Sequence, residues 1–209
     1  MNRRDFLLGS SGLLLAGLAP ASALRAQAPA LVTPTQPAPT PTGLVPLRRN
    51  VGLFNSGTGS TIGWLASPDG IVVVDSLFPK PSADLIALLP GRHGRGVDVL
   101  INSHHHPDHV GGNAAFRPIT QRIVAQQLVP EYQLAQAAER GTTSYQIVAD
   151  TLFTDSWRAT VGDETVVVRH VGYPAHTISD SVVHFEKANV VFLADLGFNR
   201  YYPMTDRPG

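Results

Sequence analysis

The sequence contains no cysteine in its 209 residues. That excludes disulfide cross-links and thiolate metal ligands together, so any bound metal ion must be held by imidazole and carboxylate. Charge of one sign is lacking too: Lys plus Arg and Asp plus Glu each number 16. This balance offers nothing to nucleic acid or to an anionic membrane surface. Hydrophobic residues reach 43%, enough for a real core, and the length suits one domain of ordinary size with a leader or tail. No internal repeat is visible.

What the sequence does have is Ser103-His104-His105-His106-Pro107-Asp108-His109-Val110-Gly111-Gly112, which packs four imidazoles and one carboxylate into residues 104–109. It follows Val97-Asp98-Val99-Leu100-Ile101-Asn102, a short β-branched run that reads as a buried strand. Gly111-Gly112 are expected to let the backbone turn tightly behind it. In an extended loop His104 and His106 point one way and His105 the other, so His104 and His106 can share an ion. Asp108 and His109 can turn toward a second. His176, on a loop after a strand, can complete three histidines around the first ion and leave an open position for water, as catalytic sites do. Asp195, expected at a strand end, can bridge both ions through its two oxygens. Taken singly, His176 would pass for an ordinary loop histidine and Asp195 for a turn carboxylate; the combination lifts both. His93, His170 and His184 read as structural.

Around this loop the chain divides into three. Residues 1–28 read as a targeting segment: Arg3-Arg4 before Asp5-Phe6-Leu7 resembles the twin-arginine export signal. An apolar stretch from Phe6 to Ala23 follows, with Ala26-Gln27-Ala28 or Ala21-Ser22-Ala23 as the cleavage site. The alternative is an uncleaved anchor, though its glycines and serines dilute it. Cleavage would put the mature protein in the periplasm or outside the cell, with no stable membrane partner. Residues 29–46, with six prolines and four threonines, read as an extended, solvated linker. The folded domain is expected over 47–209.

Within it, strands are predicted at Val51–Phe54, Thr61–Leu65, Ile71–Val74, Val97–Asn102, Arg122–Ala125, Thr165–Val171, Ser181–Phe185 and Val190–Ala194. A helix is predicted from Ser82, as its cap, to Leu89, and another from Gln126 to Arg140. Strands in consecutive runs with interspersed helices predict a layered α/β or α+β domain.

His-x-His-x-Asp-His followed by Gly-Gly, matched by His104, His106, Asp108, His109, Gly111 and Gly112, resembles the metallo-β-lactamase superfamily. The resemblance spans about Leu47 to Arg200. It implies an α+β fold, the αββα sandwich. It also makes Asp75 the aspartate that supports the histidine loop from behind, His176 the third histidine and Asp195 the bridging carboxylate. It further implies a metal-dependent hydrolase: two ions, zinc with iron or manganese as alternatives, would activate a water and bring its pKa to near 7. Asp108 would orient that nucleophile or take its proton.

One departure is plain. The family usually supplies a further histidine well beyond the bridging aspartate, and residues 196–209 contain none. The second half of the sandwich is therefore expected to be incomplete, the sequence being either a C-terminally truncated fragment of a longer protein, the preferred expectation, or a shortened member with a weakened second site. A small-molecule ester, thioester or amide is the expected substrate class. A β-lactamase proper, favoured by export but not by a bridging aspartate, and a catalytically inactive metal-binding chain remain open.

Overall fold

The computed structural model describes residues 42–92, 94–172, 174–198 and 204–205. The expected targeting segment, residues 29–41 of the expected linker, and His93 lie outside them. Among the described residues no helix is long and apolar enough to cross a membrane.

Seven strands form one mixed sheet in sequence order: β1 (Gly43–Arg48), β2 (Val51–Asn55), β3 (Thr61–Ser67), β4 (Gly70–Val74), β5 (Val97–Asn102), β6 (Thr120–Gln126) and β7 (Thr151–Phe153). The first four pair antiparallel and the rest continue in parallel. The parallel part needs crossovers, supplied by α1 (Pro79–Leu88) between β4 and β5 and α4 (Val129–Glu139) between β6 and β7. Four strands form a second, antiparallel sheet in the order β11-β10-β9-β8: β8 (Ser156–Val161), β9 (Glu164–His170), β10 (Ser181–Phe185) and β11 (Val190–Phe192).

Two apolar layers hold this together. Leu85, Leu89, Phe116 and Val129 from the helical side pack with Ile62, Trp64, Ile71, Leu100 and Ile123 on one face of the large sheet. Val72, Val74, Val99 and Ile101 on its other face meet Val166, Val168, Val183 and Phe185 of the small sheet. Both faces of β4 are thus covered, which is why Gly70–Val74 is buried throughout and reads as an unbroken apolar run. The arrangement is helix, sheet, sheet; among the described residues no helix covers the outer face of the small sheet.

The structure corrects several expectations. β1 begins at Gly43, inside the stretch expected to be solvated linker. Proline is tolerated there because β1 is an edge strand and its register shifts between Pro46 and Arg48. Ser82 does not cap α1: the helix starts at Pro79 with Phe78 at its N-cap, and Ser82 is buried within it, donating to the Ser76 carbonyl. Proline at the first helical position needs no amide partner, so Pro79 rather than Ser82 sets the start. Gln126 belongs to β6, and α4 starts only at Val129. β11 ends at Phe192, so Asp195 sits not at a strand end but in a single 3-10 turn, Ala194–Leu196.

Candidate metal centre

Pro107 shapes the histidine loop. It restricts the residue before it, so His106 stays extended (φ −65°, ψ 146°). It then opens the one-turn helix α2 (Pro107–Val110), in which the His109 and Val110 amides donate to the His106 carbonyl at 2.9 and 3.1 Å. An extended run thus presents His104 and His106, and a turn presents Asp108 and His109. Asn113, which starts the short helix α3 (Asn113–Phe116), locks the far side by exchanging amide bonds with Asn102 at 3.0 and 2.9 Å. Neither Gly111 nor Gly112 has a positive φ (−63° and −89°), so turning is not their reason. A Cβ on Gly112 would collide with the Ser82 hydroxyl and the Ser76 carbonyl. The glycine pair is a close-approach device.

Asp75 fixes the ligands' tautomers. Fully buried just after β4, in the left-handed region (φ 66°), it accepts the Ser103 amide at 2.7 Å, the Ser103 hydroxyl at 2.7 Å and His109 Nδ1–H at 2.8 Å. Because the Ser103 proton goes to Asp75, its oxygen can only accept from His104 Nδ1–H at 3.0 Å. Asp75 thus accepts the Nδ1 proton of His109 directly and, through Ser103, orients that of His104, which turns both Nε2 atoms toward the cluster. His176 reaches the same state by donating Nδ1–H to the Met204 carbonyl at 2.6 Å.

These nitrogens converge. His104, His106 and His176 form one group whose ligand atoms lie within 4.8 Å of one another, and His104, His109 and Asp195 form a second. His176 Nε2 is 3.0 Å from His106 Nδ1. Asp195 places one oxygen 3.2 Å from His109 Nε2 and the other 3.4 Å from His176 Nε2, reaching both groups at once. Asp108 stands at the edge, outside both groups of three: Ser60 donates to it at 2.7 Å, and its Oδ2 lies 3.6 Å from His109 Nε2, beyond hydrogen-bond length.

Electrostatics follow from this crowding. Burial first, then the neighbouring imidazoles, lowers the His104 pKa well below its ordinary value. Burial acts the same way on His109, but the Asp75 charge, with Asp108 and Asp195, outweighs it and raises the pKa well above. The His109 ring, aided by Ser60, holds the Asp108 carboxyl far below the usual range. Burial opposes ionisation of Asp195, yet His109 again wins and lowers its pKa.

The donor set fits a cation. His104 Nε2 is buried and makes no hydrogen bond, a cost that a bound cation would remove, and His109 Nε2 is buried 3.2 Å from the Asp195 carboxylate. The 3.0 Å separation of His176 Nε2 and His106 Nδ1 is close to the roughly 3.3 Å expected between nitrogens ~2.0–2.1 Å from one tetrahedral ion. His105 points away, as alternation requires, with Nδ1 2.8 Å from Ser179 Oγ. His170 donates Nδ1–H to the Asp180 carbonyl at 2.9 Å, away from the cluster.

On one side of the cluster lies a groove of ≈ 830 Å³ lined by Leu53, Phe192, Leu193 and Phe198 and reaching Asp108, His109 and Asp195. A second space of ≈ 520 Å³, reaching His106 and Asp108, is edged by Thr58, Ser60, Gln136 and Arg140.

The family model described as the metallo-beta-lactamase superfamily matches residues 56–209. The chain belongs to this superfamily. Solved structures share its fold at low identity. A metallo-beta-lactamase from Pontibacter korlensis is 20% identical with a TM-score of 0.57, over 72% of this chain and 69% of that one. The metallo-beta-lactamase SMB-1, bound to 2-mercaptoethanesulfonate, is 21% identical with a TM-score of 0.55, over 73% and 64%. A stereoselective inverting sec-alkylsulfatase from Pseudomonas sp. is 14% identical with a TM-score of 0.55, over 70% of this chain but 30% of that one. The chain thus spans about a third of the sulfatase and about two thirds of the lactamases. Members of this superfamily are mostly hydrolases, and the His and Asp groups described above are of the kind that hold metal ions.

The sequence pattern missed Ser60, Ser103, Asn113 and Ser179, whose roles arise from contacts between distant segments. One signal was available: Thr177-Ile178-Ser179-Asp180 has capping-box spacing, and Thr177 donates its amide and hydroxyl to Asp180, both at 2.7 Å.

Proposed function

We propose that this protein is an exported metal-dependent hydrolase acting on a small ester, thioester or amide-type substrate. The observation that carries the reading is the buried, unbonded Nε2 of His104, aimed into a cluster where His109, His176 and Asp195 converge. His104, His106 and His176 would hold one divalent ion, zinc foremost with iron or manganese as alternatives; Asp108 and His109 would hold the second, with Asp195 between them. When bound, such ions supply Lewis acidity that polarises the scissile carbonyl and lowers the pKa of water to near 7.

The chain's own residues do the rest. Asp75 keeps His104 and His109 in the ligating tautomer, directly or through Ser103. Asp108 is held ionised, so it orients an attacking water by accepting its proton in a hydrogen bond; its low proton affinity makes it a weak general base. Asp195, reaching both groups, supports an ester or thioester substrate over a β-lactam. The twin-arginine-like leader supports export, and the even charge supports a small-molecule substrate rather than a nucleic acid.

Hydrolysis of a thioester, an aryl ester and a chromogenic β-lactam by the zinc-loaded chain, with Asp108→Asn alongside, tests this. We expect turnover of the ester or thioester and a loss of about 10²-fold in kcat for Asp108→Asn, the low end for a group that orients the water rather than taking its proton. Bound metal without turnover of any of the three would leave a catalytically inactive metal-binding protein.

A further inference from the structure

The middle histidine of the run, His105, is not a ligand in either group, yet it is buried, with 3% of its surface exposed. A buried imidazole is costly unless bonded, so a position needing only bulk would be served better by an apolar residue. Its ring leans on Tyr132 of α4, with centroids 5.2 Å apart, and its Nδ1 meets Ser179 Oγ at 2.8 Å. Ser179 lies on the loop that carries His176. Its amide donates to Thr177 Oγ1 at 3.1 Å, and Thr177 is pinned in turn by Asp180. The chain of bonds therefore ends one residue from His176.

This placement matters because the three-histidine group is assembled from both sheets. His104 and His106 leave β5 of the large sheet, whereas His176 lies between β9 and β10 of the small one. Their ligand atoms must agree in position to a few tenths of an ångström for a cation to be gripped. A backbone bond from the Ser181 amide to the Ser103 carbonyl, 2.9 Å, fixes the bases of the two loops. The His105–Ser179 bond fixes them higher up, level with the ligands, without using a ligand to do so.

We propose that His105 is a positioning residue: through Ser179 it fastens the His176 loop to the His104–His106 segment and so sets the cation affinity of the three-histidine group. The inference rests on the reading that this group holds a cation. Extension by one residue explains the use of three successive histidines, two facing the ion and one facing the neighbouring loop.

The test is a zinc titration of the metal-depleted full chain against a chromophoric chelator, with the cobalt(II) absorption spectrum as a report of coordination. His105→Phe keeps a flat ring but removes the bond; Ser179→Ala removes the same bond from the other side with little change in volume. His105→Asn restores a polar atom near the Nδ1 position. We expect each of the first two to weaken the tightest zinc site by about 10–100-fold. Their combination should be no worse than either alone, His105→Asn should recover most of the loss, and the cobalt bands should shift only where the bond is lost. If His105→Phe fails to fold, Ser179→Ala decides. Parent-like affinity in Ser179→Ala, or losses that multiply in the double variant, would overturn the inference while leaving the proposed function standing. A parent chain that binds no zinc would overturn both.

Discussion

Asp75 accepts three hydrogen bonds on two oxygens, and all three end on the histidine loop. In Asp75→Asn an amide must face at least one of these donors. We expect cation affinity to fall by about 10–100-fold and stability to fall by about 1–3 kcal/mol, read by chelator competition and urea denaturation. His109 gives a second expectation. Although burial opposes it, the surrounding carboxylates, Asp75 foremost, hold its proton above the ordinary histidine range, and that proton must leave before Nε2 ligates. Cation uptake at neutral pH should therefore release a proton, and affinity should rise as pH rises through the raised value. Calorimetry in buffers of different ionisation enthalpy measures this; uptake without proton release would contradict it.

Glycine 112 and Glu164 show how single residues govern whole elements. Gly112→Ala drives a methyl into Ser82 and the Ser76 carbonyl, forcing α1 and α3 apart beneath the ligands. We expect about 1–3 kcal/mol of destabilisation, only partly relieved by adding Ser82→Ala because the Ser76 clash is with backbone. Glu164, buried at the start of β9, accepts the Thr165, Lys187 and Ala188 amides at 2.9, 2.7 and 2.9 Å, tying the β8–β9 hairpin to the β10–β11 turn. Glu164→Ala leaves three donors to find water, and denaturation should show a loss of about 1–3 kcal/mol or more. The elements legible in the sequence were those with an unambiguous apolar signal. β5 was predicted at Val97–Asn102 and occupies those residues because both its faces are buried. β8 was not seen: Ser156–Val161 alternates between exposed and half-buried positions and lies at a sheet edge, where polar residues are admitted. β7 is three residues long, and β1 hides in proline-rich sequence. The candidate ligands were legible because metal binding needs particular residue types at fixed spacing, whereas the Ser60, Ser103 and Ser179 hydroxyls acquire meaning only once distant segments meet.

Taken whole, the molecule carries its candidate metal-binding cluster where the two sheets meet, with side chains drawn from both, so site and sandwich stand or fall together. β11 lies at the edge of the small sheet, with Val191 49% exposed and Leu193 47% exposed beside the apolar groove. An apolar sheet edge of this kind is a template for further strand pairing. We expect concentration-dependent association of the purified chain in light scattering; a monodisperse monomer at high concentration would contradict this. The convergent His and Asp side chains are proposed to hold divalent cations. Elemental analysis of the purified chain and of His104→Ala, the ligand common to both groups, tests this most directly. The account predicts near two equivalents of metal in the parent and a clear loss in the variant. A parent without metal after zinc loading, or a variant that binds as much as the parent, would contradict it.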